Sequence, residues 1–371
     1  MIILERFKPT ASRRGRLALI SVVLLGMLLP VTPVLGESPA YCLVPGWPRI
    51  SDEVDLGQVA GVGIGTDDTV YVFHRGNKNW GGGGRLWSRA LGFTRFWLPE
   101  WLTGYEAEGP VRENTLLALD PKTGVVLSAI GADQFLVPHG LTLDAEDNLW
   151  VTDVGLHQVF KVSRTGEVLL TIGARGVAGN DQNHFDRPTD VAVAGDGSFY
   201  VADGYGNARV VKFSPDGDYL FEWGGRGTGP GQFDVPHGIA ISAAGDDEGK
   251  LYVADRGNAR VQVFDLKGQF IKQISGPEIG RPWAVDVAED GRIFLADGGD
   301  QDTDAPRSGL VILTPDGVPM ARWSEFGYGA GNLVWPHDLA VSRKDEVYVG
   351  EVLDSRRLQK FSVTCAGDQP K

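Results

Sequence analysis

The chain of 371 residues is 42% apolar and 22% charged, and its 51 glycines are spread along it, which excludes a disordered or linker-dominated protein. That length suits one large all-β unit as readily as two domains. The formal charge of −13 excludes non-specific nucleic-acid binding, since like charges repel a phosphate backbone.

Residues 1–36 differ from the rest. Arg13, Arg14 and Arg16 lead into an apolar run from Leu17 to Leu29, followed by Pro30, Pro33 and the small-residue site Val34-Leu35-Gly36. This reads as an export signal with the outline of a twin-arginine type, and the chain is expected to be periplasmic or secreted. The alternative is an uncleaved anchor, although the two prolines interrupt a run that barely reaches spanning length. Removing the segment takes 35 Lys and Arg against 48 Asp and Glu to 30 against 47, a formal charge of −17. Residues 37–371 then form a single domain, read as a monomer. Its two cysteines, Cys42 and Cys365, stand near its two ends and form a candidate disulfide in an oxidising compartment.

From residue 59 one pattern recurs. First strands begin at Val59-Ala60-Gly61-Val62, Pro138-His139-Gly140-Leu141, Pro188-Thr189-Asp190-Val191, Pro236-His237-Gly238-Ile239, Pro282-Trp283-Ala284-Val285 and Pro336-His337-Asp338-Leu339. Second strands follow, such as Leu149-Trp150-Val151-Thr152 and Leu251-Tyr252-Val253-Ala254. The prolines succeed one another at 50, 48, 46 and 54 residues, the length of a four-stranded blade. No sustained helical period interrupts them. The expected fold is all-β, a six-bladed β-propeller with NHL-type repeats, whose ring must close to bury the blade faces. The first blade carries an insertion at 78–112, rich in Trp87, Phe93, Phe96, Trp97, Trp101 and Tyr105. It suits a substrate lid, a peripheral membrane contact or a loop folded against the propeller side.

The copies differ where chemistry is expected. Ala60, His139, Thr189, His237, Trp283 and His337 occupy one repeat position, so histidine appears on every second blade. Alternate blades lie about 120° apart, and three imidazoles converge on the axis with an open coordination position, the geometry of a catalytic zinc site. After the second strand the first and fourth blades carry Arg75 and Arg256, opposite each other, and the third offers Tyr205 one residue further on. Two guanidinium groups beside a metal point to a carboxylate-bearing ligand. Asp153, Asp203, Asp255 and Asp297 recur in one place and read as partners of backbone amides. Arg209 and Arg260, in repeated Gly-Asn-Ala-Arg strings, also read as structural, and His74, His157 and His184 lie off the ligand position.

The strings Phe73-His74-Arg75-Gly76, Val137-Pro138-His139-Gly140-Leu141, Leu156-His157-Gln158-Val159-Phe160, Asp181-Gln182-Asn183-His184-Phe185 and Asp203-Gly204-Tyr205 resemble peptidyl-α-hydroxyglycine α-amidating lyase, over about residues 45 to 363. The resemblance implies zinc (Zn2+) held by His139, His237 and His337, a catalytic Tyr205, and active-site arginines at Arg75 and Arg256. It also implies a structural calcium (Ca2+) on the axis, bound by the carbonyls of Val62 and Leu141 and the carboxylate of Asp338. Two departures stand out: Gly206 and Asp186 occupy positions of a disulfide in animal members, and Trp335 replaces a methionine near the metal.

The implied substrate is a small molecule or peptide with an α-hydroxyglycine end. Zinc would lower the pKa of its hydroxyl, and Tyr205, its own pKa lowered by the metal and the arginines, would take the proton and release amide and glyoxylate. Two rivals remain at this stage. A calcium-dependent lactonase-type hydrolase would centre on acidic and amide groups, and a non-catalytic NHL binding propeller would need no such set of side chains.

Overall fold

Short runs of valine, isoleucine and aromatic residues, punctuated by Asp-Gly turns such as Asp196-Gly197, give strands rather than helices. The computed structural model describes residues 41–51, 54–76, 78, 109–242, 249–299 and 306–363, and among them every regular element is a strand.

A short strand, β1 (Cys42–Leu43), precedes the first full blade, which is built from β2 (Val59–Ile64), β3 (Val70–His74), β4 (Leu116–Leu119) and β5 (Val126–Ile130). The second blade is β6 (Pro138–Leu143), β7 (Leu149–Asp153), β8 (Gln158–Val162) and β9 (Val168–Ile172), and the third is β10 (Asp190–Val193), β11 (Phe199–Asp203), β12 (Arg209–Phe213) and β13 (Tyr219–Gly224). The fourth is β14 (Pro236–Ile241), β15 (Lys250–Asp255), β16 (Arg260–Asp265) and β17 (Phe270–Ser275), and the fifth is β18 (Pro282–Val287), β19 (Ile293–Asp297), β20 (Gly309–Leu313) and β21 (Pro319–Trp323). The last blade contains β22 (Pro336–Val341), β23 (Glu346–Glu351) and β24 (Leu358–Ser362), and takes its outer strand from β1. The six sheets are antiparallel meanders, and inner strands touch in the cycle β2, β6, β10, β14, β18, β22 and back to β2. The fold is the expected propeller.

Hydrophobic burial closes the ring. Each of six apolar clusters fills one seam between neighbouring blades, including Val62, Val72 and Tyr348 where the last blade meets the first. A fully buried Val, Leu or Phe there contributes roughly 1.5–3 kcal/mol, so no seam is free to open. Fourth strands are exposed, as β5 and β9 show.

Buried acids at the ends of second strands tie the loops down. Asp153 accepts from the amides of Leu136, Val137, Gly155 and Leu156, while Asp203 and Asp255 pair with Arg209 (2.9 Å) and Arg260 (2.8 Å). Glu351 fills this place in the last blade and His74 in the first, where its Nδ1 accepts from the Gly76 amide.

Cys42 lies opposite Ser362 across β1 and β24. Cys365, residues 1–36 and the aromatic residues of the insertion fall outside the described residues. At the insertion's base, Lys78 donates to the Gly109 carbonyl.

Candidate active site

In five blades the register of the first two strands slips at the start of the inner strand: at Val59/Gly61, Pro138/Leu141, Pro236/Ile239, Pro282/Ala284 and Pro336/Asp338. These bulges contain Ala60, His139, His237, Trp283 and His337. A bulge re-aims a side chain, and here it gathers the histidines. Their ligand nitrogens all lie within 4.8 Å of one another, and their ring centroids are 4.5, 4.8 and 4.9 Å apart.

Each imidazole is oriented by the next blade. His139 Nδ1 donates to the carbonyl of Thr189 (2.6 Å), His237 Nδ1 to that of Trp283 (2.7 Å) and His337 Nδ1 to that of Ala60 (2.7 Å). The acceptor is every time the residue at the same repeat position one blade on. Gly140 lets this carbonyl come close, since a Cβ there would stand 2.6 Å from the Thr189 oxygen. With Nδ1 committed as donor, each Nε2 keeps its lone pair, the state in which imidazole ligates a metal.

Burial above all holds the three histidines well below the usual 6.5, with Arg75 adding at each, neighbouring imidazoles at His139 and His337, and Arg256 at His139 and His237, so they are neutral at pH 7. The Tyr205 hydroxyl lies 3.0 Å from Nε2 of both His139 and His237. One hydroxyl proton cannot serve two acceptors. Three convergent neutral imidazoles therefore form a set that could hold a metal ion.

Above this ring lies a second. In five blades the residue that follows the second strand, and in the third blade the one after it, donates its amide to the carbonyl two residues before the histidine position of the same blade: Arg75 to Gln58, Val154 to Val137, Tyr205 to Arg187, Arg256 to Val235, Gly298 to Arg281 and Val352 to Trp335. Tyr205 is thus the structural counterpart of Arg75 and Arg256. Its offset of one residue is absorbed by Gly204, where a Cβ would sit 1.8 Å from the Pro236 carbonyl oxygen.

The rim charges are held firmly. Arg75 donates through Nε to the Pro138 carbonyl (2.8 Å) and through Nη1 to Gln58 Oε1 (2.6 Å). The Arg256 guanidinium lies 3.4 Å from the Trp283 ring centroid, and its Nη1 is 3.4 Å from the Tyr205 hydroxyl. Both arginines and Tyr205 are buried.

Burial outweighs Arg256, Arg75 and Arg187, so the protein's own groups leave the Tyr205 phenol above its usual value.

Further down the axis, Asp338 accepts from the amides of Val62 (2.8 Å) and Leu339 (2.9 Å). Two acids that the repeat comparison did not single out play the same part: Asp190 binds the amides of Val191 and Ile239, and Asp286 those of Val287 and Val341. Burial raises all three, and mutual repulsion adds to this at Asp190 and Asp338. Their signal in the sequence is an aspartate inside an apolar inner strand.

His157 and His184 stand apart from the metal ligands. His157 Nδ1 accepts from the Arg187 amide, and His184 Nδ1 is 2.8 Å from Asp181. Asp186 packs so closely on Gly206 that a Cβ there would be 1.8 Å from its Cγ.

The NHL repeat family matches residues 185–213 and 233–264, in the third and fourth blades. The chain is 38% identical over 325 residues to peptidyl-glycine alpha-amidating monooxygenase B of Xenopus laevis, covering 85% of this chain and 35% of that protein, and so spans about a third of its length. It is 33% identical over 326 residues to peptidyl-alpha-hydroxyglycine alpha-amidating lyase 2 of Drosophila melanogaster, covering 85% of this chain and 73% of the relative. Among solved structures, a gluconolactonase from Xanthomonas campestris shares the fold at 14% identity and a TM-score of 0.55, covering 83% of this chain and 87% of that one.

Proposed function

We propose that this chain, which belongs to the peptidyl-α-hydroxyglycine α-amidating lyase family, splits an N-acyl- or peptidyl-α-hydroxyglycine into an amide and glyoxylate. The observation that carries this reading is the trigonal set of His139, His237 and His337 with the Tyr205 hydroxyl 3.0 Å from two of them.

The three Nε2 atoms would hold zinc, which when bound supplies a Lewis acid that lowers the pKa of a hydroxyl in its open position. Tyr205 removes the proton from the carbinol oxygen. As the C=O of glyoxylate forms, the C–N bond breaks, and the same tyrosine returns the proton to the departing amide nitrogen. Arg75 and Arg256 oppose the burial that disfavours a phenolate at Tyr205. They also suit the substrate carboxylate: stacking on Trp283 covers a face of the Arg256 guanidinium and leaves its edge, along which the N–H groups point, outside that contact.

Zinc-loaded protein is expected to release glyoxylate from a small N-acyl-α-hydroxyglycine, and no release would end this reading. Arg75→Ala or Arg256→Ala should lower kcat/KM for the carboxylate substrate about 10- to 100-fold more than for its uncharged amide analogue, since a hydrogen bond to a charged group is worth about 1.5–3 kcal/mol. Equal losses on both substrates would make the arginines supports of the pocket rather than readers of the carboxylate.

Asp338, with the carbonyls of Val62 and Leu141, would hold a calcium that offsets the buried charge of the axial acids. Residues 1–36 would be removed on export. Mass spectrometry of the exported protein is expected to find Glu37 at the start and Cys42 joined to Cys365, and two free thiols would reject the bond. The convergence of β1 and β24 supports it.

A further inference from the structure

The rim of the site is not evenly charged. On the side of the fifth and sixth blades, Trp283, Val352 and Ala60 form an apolar cluster to which Trp335 and Leu353 are added. Trp335 lies 5.5 Å from Trp283 between ring centroids, and Trp283 lies 5.8 and 5.9 Å from the rings of His237 and His337. This wall borders the metal ligands.

The Trp283 indole is buried and packs on the bare backbone of Gly298, where a Cβ would meet it at 2.5 Å. Trp335 and Leu353 are only partly buried. Leu353 adopts φ 58°, a left-handed backbone that a leucine takes only at a cost. A second apolar cluster, Val137 and Val154 with the partly buried Leu136 and Val235, packs on the Tyr205 ring, and Val235 too has a left-handed φ of 60°.

We infer that the Trp283–Trp335 wall is the subsite for the acyl side of the substrate, and that the preferred substrates are α-hydroxyglycines whose N-acyl group is apolar or aromatic. The inference rests on the lyase reading above. Arg256 lies on one face of Trp283, so the carboxylate and the acyl group are placed by two neighbouring features of one indole. The Trp283 Nε1 donor is buried without a hydrogen bond among the described residues. A buried donor of this kind asks for an acceptor, and the acyl carbonyl of a substrate laid on the wall is one.

The test uses non-reacting analogues, so it does not depend on turnover. Calorimetry on the zinc-loaded chain is expected to find N-benzoylglycine bound at least about 10-fold more tightly than N-acetylglycine, the scale on which a hydrophobic pocket discriminates. Trp335→Ala should bring that ratio to within about threefold of unity, and Trp335→Phe should restore most of it. Leu353→Ala provides a second probe should Trp335→Ala not fold, and it should lower the ratio in the same direction. Equal binding of the two analogues by the unaltered protein, or a ratio untouched by every folded variant, overturns the inference. The lyase reading is judged separately, by glyoxylate release from N-acetyl-α-hydroxyglycine.

Discussion

Tyr205→Phe is expected to lower kcat by about 10²- to 10⁴-fold, the range for loss of a positioned general acid–base, while zinc content and folding persist. The substitution removes one oxygen and keeps the ring. That ring packs on Val137 and Val154, and meets the His139 and His237 rings edge to face at 5.2 and 5.6 Å, contacts a phenylalanine retains. What disappears is the hydroxyl that stands 3.0 Å from two imidazole nitrogens and 3.4 Å from Arg256. No other described side chain with a transferable proton is placed this way among the metal ligands. Single-turnover kinetics with elemental analysis of the same samples make the check. Wild-type kcat, with chemistry shown to limit the rate, would remove Tyr205 as the base.

The fold was legible because the blades repeat one local solution, an apolar inner strand entered at proline and a second strand ending in an acid in five of the six, and that many copies of a pattern outweigh ambiguity in any one. The histidines were legible for the opposite reason. A side chain that changes on alternate blades at a fixed position is not required by the blade, so its identity carries information about the axis. Tyr205 was harder to place, because the repeat alignment sets it one residue late; only the hydrogen bond from its amide to the Arg187 carbonyl shows that Gly204 is the extra residue. The carbonyls that orient the histidines could not be read at all, since a main-chain acceptor leaves no trace in residue type. The same holds for Trp283. Its place in the histidine register was visible, but its contact with Arg256 depends on the bare backbone of Gly298 in the same blade. His74, expected off the ligand position, stands where other blades carry an acid and serves the same loop as an acceptor.

Replacing any one of the three axial histidines with alanine should abolish zinc binding without unfolding the ring. His237 makes the sharpest case. Its loss leaves two nitrogen ligands, too few for the four-coordinate environment zinc takes in proteins, and frees the Trp283 carbonyl from its Nδ1 partner. An orphaned buried acceptor costs about 1–3 kcal/mol, a local loss, since the apolar seams on either side of the fourth blade do not include His237. Circular dichroism should therefore remain that of a β-protein while zinc per chain falls from about one to near zero after dialysis. Calcium in the same samples distinguishes a local defect from a general one. Its proposed ligand Asp338 binds the Val62 and Leu339 amides, not the imidazoles, so His237→Ala should keep calcium and lose zinc, and Asp338→Asn should do the reverse. A folded His237→Ala chain that retains a full complement of zinc would mean that the metal lies elsewhere, and the convergence of the three imidazoles would need another cause.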